Sequence, residues 1–432
     1  MKYLKLSALL LAALPYVACN DCKEVVLEPC GDSDPNTEHC GWSVATCFAD
    51  ILTHPVAVIY DTHLNSNAPL GNHWGTVTAI HPSNWTANQI GQIFGIAIDE
   101  NENVYLASSD IYYHPSNSPL FSGNASRPFS FTAGQIFKCV PPFWSAVPFV
   151  SLPNTSNAGN GIGNIAYDKW NKQLFATNLE DGKIYRIDVN TGAILDTYDP
   201  WVADNGSAGI VNNLAERVWG IGVNYENGLV KVYFPRVSGS QRSLYSITLN
   251  NGAFPAANSE VIEISNLPGN QEIISDLAFS SNGNELLIAE RGAAHVAFVV
   301  SYSRTASWAF NRQYFVGGDL RPNYSNGGNS AGGVDFAYTE VNRNPSAKCD
   351  EFFLATGNAM LARNSSISPI YGIEAIKYSG NLSSNAPMPT ANQDTDWFID
   401  FDGSNSGNPK GSIGDVEVFD CTECVKCSLD NY

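Results

Sequence analysis

The sequence predicts an all-β fold, a six-bladed β-propeller closed by pairing of N- and C-terminal strands. Three observations carry that expectation: a short motif recurs six times, each copy is apolar on both faces, and each is followed by turn residues and further short strands. The copies are Gly95-Ile96-Ala97-Ile98-Asp99, Asn164-Ile165-Ala166-Tyr167-Asp168, Gly220-Ile221-Gly222-Val223-Asn224, Asp276-Leu277-Ala278-Phe279-Ser280, Asp335-Phe336-Ala337-Tyr338-Thr339 and Asp415-Val416-Glu417-Val418-Phe419. A half-solvated strand alternates apolar with polar, so strands apolar on both faces belong between two other sheets, and radial stacking provides that burial. Their middle position is small in five copies, as expected where strands converge on a narrow axis, with Glu417 the exception.

A second strand follows four copies, at Val104-Tyr105-Leu106, Leu174-Phe175-Ala176, Leu286-Leu287-Ile288 and Phe353-Leu354-Ala355. Polar clusters such as Glu100-Asn101-Glu102-Asn103 and Ser281-Asn282-Gly283-Asn284 fill the gap between strands, as hairpins require. Third strands read at Gln135-Ile136-Phe137, Lys183-Ile184-Tyr185, Leu244-Tyr245-Ser246 and Ile373-Glu374-Ala375, which makes each unit an antiparallel meander. The sixth copy has little sequence behind it. Its blade is expected to be completed by Val56-Ala57-Val58-Ile59-Tyr60 and the stretch from Gly75 to Ile80. The expected organisation is a signal peptide over 1–19, a Cys-rich segment over 20–52, the propeller over 53–420 and a Cys-rich tail over 421–432.

Lys2 and Lys5 precede an apolar run and small residues, the layout of an export signal, so an extracellular, secreted or cell-surface protein is expected. Tyr16-Val17-Ala18-Cys19 is also a loose lipobox, in which case Cys19 carries a lipid anchor. No later run is long enough to span a bilayer as a helix. Export makes disulfides the default for Cys22, Cys30, Cys40, Cys47, Cys139, Cys349, Cys421, Cys424 and Cys427, ahead of a metal reading of the final CxxCxxC. The formal charge of −19 repels phosphate backbones, which argues against nucleic acid as partner.

The architecture resembles the NHL and SMP-30-like six-bladed propellers. The phrases GNIAYDKWNKQLFATNLEDGKIYRI, ERVWGIGV and GSIGDVEVFDC resemble, over Pro55 to Cys421, the propeller module of secreted cell-surface proteins of Bacteroidota-type bacteria. The second resemblance implies adhesion or surface display, without catalytic motifs. The first implies a lactonase, whose metal is held by Glu, Asn and Asp at a channel mouth.

In a propeller the first strand begins and the second ends on one face. That places Asn164, Asp276, Asp335 and Asp415 at a channel mouth as candidate ligands of a divalent cation such as Ca²⁺, with Asn178, Glu290 and Asn358 beside them. The competing account has these side chains capping backbone groups, with no cofactor. Gly328-Asn329-Ser330-Ala331-Gly332 matches GxSxG but lacks the strand-turn-helix setting of a nucleophile elbow, and the Gly161 to Ala166 run lacks the helix of a dinucleotide site. Three functions are therefore compatible with the sequence. They are a non-enzymatic binding, adhesion or structural module for a glycan, a matrix component or a copy of itself; a metal-dependent lactonase-like hydrolase; and a subunit of an extracellular filament.

Overall fold

The computed structural model describes residues 39–49, 51–62, 78–113, 132–153, 161–201, 217–269, 273–292, 296–317, 328–337, 350, 352–360, 370–378, 397–401 and 412–420. Six antiparallel sheets of about four strands are arranged as blades of a β-propeller. The first blade runs outward through Ile93–Ile98, Val104–Ser108, Gln135–Val140 and Ser145–Ser151. The second uses Ile162–Asp168, Gln173–Asn178, Lys183–Asp188 and Ile194–Tyr198, and the third Gly222–Glu226, Leu229–Ser238, Gln241–Thr248 and Val261–Ser265. The fourth uses Ile273–Phe279, Glu285–Arg291, Val299–Arg304 and Trp308–Tyr314; the fifth uses Gly328–Ala337, Phe352–Met360, Ile370–Lys377 and Trp397–Asp400. These two blades are joined where Val296–Ala297 pairs in parallel with the start of the fifth blade's innermost strand.

The sixth blade closes the ring. Its innermost strand, Ser412–Val418, pairs antiparallel with Ser43–Phe48, which pairs with Ala57–Tyr60, which in turn pairs with Ala79–Ile80. One expectation is corrected here. Ser43–Phe48 lies inside the segment set aside as Cys-rich, so the propeller begins upstream of residue 53. The strand was hidden because Ser43-Val44-Ala45-Thr46-Cys47-Phe48 is fully buried and mixes small polar with apolar residues, giving no alternation to read. Of the block over 75–80, Ala79–Ile80 pairs in this sheet and 75–77 lie outside the described residues.

Packing between neighbours accounts for the apolar faces. Ala97, Tyr105 and Ile136 of the first blade pack with Ile162, Leu174 and Tyr185 of the second. Val44 and Ile59 of the sixth pack with Ile96, Val104 and Leu106 of the first, so the apolar layer continues through the closing seam. At about 25 cal/mol per Å² of apolar area buried, such layers are the main source of stability, and closure leaves no blade with an uncovered inner face.

Hairpin turns are built locally by Asx chemistry. Asp168 accepts from the amides of Trp170 (3.0 Å) and Asn171 (3.1 Å), and Asp99 accepts from Asn101 (2.9 Å) and Asn103 (3.0 Å). A carboxylate that closes its own turn fixes the link between first and second strands, and these turns set the geometry of one face of the ring.

Candidate functional site

The innermost strands share a bulge. In the first, second, fourth and sixth blades the pairing with the second strand slips by one residue, at Ile93/Ile96, Ile162/Ile165, Ile274/Asp276 and Cys47/Ala45, and in the fifth it slips by two, at Ser330/Val334. Opposite three of these slips stands a threonine. Thr177 accepts from the Asn164 amide (2.9 Å), Thr356 from that of Gly333 (2.9 Å) and Thr46 from that of Asp415 (2.8 Å). Each donates onward to the neighbouring blade, to the carbonyls of Trp219 (2.7 Å), Gly414 (2.8 Å) and Phe94 (2.9 Å) respectively.

This register aligns Gly95, Asn164, Gly220, Asp276, Gly333 and Asp415 around the axis, in blade order. Glycine alternates with a polar side chain because the axis is too narrow for six. A Cβ on Gly95 would lie 2.6 Å from Asn164 Oδ1, and one on Gly333 would lie 2.5 Å from the Asp415 Cα. The three polar side chains thread the space the glycines leave.

Asp335 is therefore not a member of this layer, contrary to expectation. It sits two residues along its strand, level with Glu417, because the fifth copy begins at Gly333-Val334. The Phe336-Ala337-Tyr338 run imitates the motif, and a glycine carries no side-chain signal to correct the phase.

The layer is a staple. Asp276 Oδ1 accepts from Leu277 N (2.8 Å) and Asn164 Nδ2 (2.9 Å), and its Oδ2 accepts from Val334 N (2.8 Å) in the next blade. Asp415 accepts from Val416 N (3.0 Å) and, across the closing seam, Ile96 N (3.2 Å). Asp335 repeats the pattern one level on, from Phe336 N (2.8 Å) and Val418 N (2.8 Å). Asp276 and Asp415 also hydrogen-bond to each other. Burial pushes Asp276 up to about 7, opposed by its amide donors. Burial, reinforced by the charge of Asp276, holds Asp415 well above the usual carboxylate range.

The two ends of the channel differ. At the strand-start end, Phe94 and Tyr112 stack (4.0 Å, 18°) beside Phe48 and Trp219, and Tyr112 donates to Gly163 O (2.6 Å). The Arg291 guanidinium covers this cluster, 5.2 Å from the Phe48 ring, and donates to the carbonyls of Ala331 and Ile413 (2.7 Å). The mouth expected here is an aromatic plug among the described residues. Of the neighbours expected beside it, Asn178 donates to Pro153 O (2.9 Å), Asn358 accepts from Ile413 N (3.1 Å) and Glu290 pairs with Arg242 (2.5 Å).

At the opposite end a recess of about 150 Å³ opens among the hairpin turns. Its depth holds Asp276, Asp335 and Glu417, and its rim holds Lys169, Trp170, Tyr225 and Asp420. Trp170 and Tyr225 stack (5.3 Å, 18°), and Lys169 lies 3.5 Å from Asp420 and 5.2 Å from the Trp170 ring centre. The rim residues were missed by the sequence reading; the signal was available in the residues just after each motif copy, since those form the turns on this face.

Asn164, Asp276, Asp335 and Asp415 do not fit a metal centre. They occupy two levels of the axis, each accepts backbone amides, and among the described residues no three His, Cys, Asp or Glu side chains form a group able to hold a metal ion. Two disulfide candidates are also corrected. Cys47 is a buried thiol donating to Pro55 O (3.3 Å), and Cys139 is a buried thiol in the seam between sixth and first blades, its ionisation pushed up by burial. Of the other candidates, Cys22, Cys30, Cys349, Cys421, Cys424 and Cys427 lie outside the described residues, as does Cys19. The GxSxG segment lies within the innermost strand Gly328–Ala337, where Ser330 Oγ accepts from Gly332 N (3.3 Å), and no elbow forms.

Fold and channel together define the class: a six-bladed β-propeller with a stapled, plugged axis and a polar recess on one face. No family model matches the chain, and no curated protein matches it. Among solved structures, it is similar to a chain of a nidogen/laminin complex at 11% identity and a TM-score of 0.46, covering 88% of this chain and 100% of that one. A candidate 6-phosphogluconolactonase from Bacteroides uniformis aligns at 10% identity and a TM-score of 0.42, over 79% of this chain and 80% of that one. The Cps50 β-propeller domain of Myceliophteria thermophila aligns at 10% identity and a TM-score of 0.36, over 80% and 86%.

Proposed function

We propose that the protein is a non-enzymatic extracellular binding module whose ligand seat is the recess among the hairpin turns. The observation that carries this reading is the division of labour along the axis. The carboxylates of the upper layer hold blades together, whereas the recess offers a stacked aromatic pair and carboxyl groups on a rigid rim. A lactonase would need its axial oxygens gathered as one ligand set, and here they are spread over two levels, tying neighbouring blades through their amides. Export through the N-terminal signal, with or without acylation of Cys19, places the module outside the cell. Cys40, which is disulfide-bonded, suits an oxidising compartment.

The test is retention of the purified chain on immobilised glycans and matrix proteins, with Trp170→Ala alongside and gluconolactone turnover measured in parallel. Retention of the wild type, weakened at least tenfold by Trp170→Ala, is the expected result. Lactone turnover, absence of any retention, or full retention by the variant overturns the reading.

A further inference from the structure

Resting on that reading of the recess as a ligand seat, we propose that it takes a lysine or arginine side chain of a protein partner, with Glu417 as the counter-charge at its depth. The first observation is Glu417 itself. It stands where other blades carry Ala97, Ala166, Gly222 and Ala278, so no backbone geometry demands a carboxyl there. It is half-buried and opens on the recess, and it makes no hydrogen bond to the described residues. A carboxyl on the wall of a recess with no protein donor keeps its acceptor capacity open to a group supplied from outside.

The second observation is the balance of charge and shape. Asp276, Asp335, Glu417 and Asp420 all line the recess, and the cationic side chain among its lining residues, Lys169, lies at the rim against Asp420. Asp335 uses one lone pair on each oxygen for Phe336 N and Val418 N, leaving acceptor capacity on both. The volume of about 150 Å³ admits a group larger than a bare ion. The overall charge of −19 draws basic partners toward such a seat.

Binding is coupled to a proton. Burial, followed by the charges of Asp335, Asp276, Asp415 and Asp420, raises the Glu417 carboxyl well above its ordinary range, so the surroundings favour its protonated form. A cation beside it favours the carboxylate, and a proton leaves to solvent as the cation enters.

The probe is N-acetyl-lysine N-methylamide, titrated calorimetrically into the full chain at pH 7 in phosphate and again in Tris. N-acetyl-norleucine N-methylamide is the neutral control. Expected are saturable binding of the lysine probe, at least tenfold weaker binding of norleucine, an enthalpy that differs between buffers, and a tenfold loss in Glu417→Gln. Equal affinity for the two probes, a buffer-independent enthalpy, or unchanged affinity in a folded Glu417→Gln overturns the proposal. Should that variant fail to fold, the probe comparison and the buffer comparison on the wild type still decide it. Retention on matrix that is lost in Trp170→Ala, together with a failed lysine titration, would leave the binding module standing and remove the cation.

Discussion

Raising the pH from 5 to 8 should destabilise the protein, and Asp276 sets the size of the effect. Its folded-state value of about 7 stands above the 3.8 of an exposed aspartate, chiefly through burial. Between those two values the native state holds a proton that the unfolded chain has released, so stability falls as pH rises through the window. At 1.36 kcal/mol per pH unit, the window between pH 5 and 7 amounts to about 3 kcal/mol, with little further change above. Asp335, Asp415 and Glu417 are displaced in the same direction, so they add to the loss at whatever pH they ionise. Urea unfolding followed by tryptophan fluorescence at half-unit pH intervals measures the profile. Asp276→Asn has no proton to lose and should flatten it between pH 5 and 8, whatever it does to absolute stability. A flat or rising wild-type profile, or an unchanged slope in the variant, would refute the assignment of a buried, partly protonated pair at the axis.

Further expectations follow from the same structure. Thr46→Val, Thr177→Val and Thr356→Val should each cost about 1–3 kcal/mol by the same unfolding assay, because each hydroxyl satisfies an amide in its own blade and a carbonyl in the next. Gly333→Ala should cost about 1–3 kcal/mol, since the new methyl meets the Asp415 backbone; a neutral result would mean the axis is wider than described. Glu290→Gln should cost about 3–5 kcal/mol by leaving the Arg242 guanidinium buried without its counter-charge. Cys47 and Cys139 should resist thiol reagents in the native protein and label on unfolding, as mass spectrometry of alkylated peptides would show.

The ring was legible in sequence because its cause is local and repeated: four copies have an apolar strand with a small centre, followed by polar turn residues, and each leaves the same trace. The register of the fifth copy was not, because Gly333 contributes an absence of side chain, and an adjacent apolar run matches the pattern equally well. For the same reason Asp335 and Glu417 could not be recognised as one level of the axis. Asn164, Asp276 and Asp415 were visible as axial residues, but their role depends on amides supplied by other blades, at sequence separations such as that between Asp415 and Ile96. The recess rim was overlooked because Lys169 and Trp170 lie far from Tyr225 in the sequence; only the superposition of turns on one face makes them neighbours.

The closing seam carries a consequence for biosynthesis. Ser43–Phe48 is among the earliest strands made, yet its partner Ser412–Val418 is the last of the described strands to be made. Throughout translation the early strand has a bare backbone edge and half of an apolar seam without cover. Two nascent chains brought close at that stage can trade last strands, each completing the other's circle, because the contacts offered are identical. Entwined dimers, and a need for chaperones that shield the early strand, are thus the failure mode and the safeguard this topology brings with it.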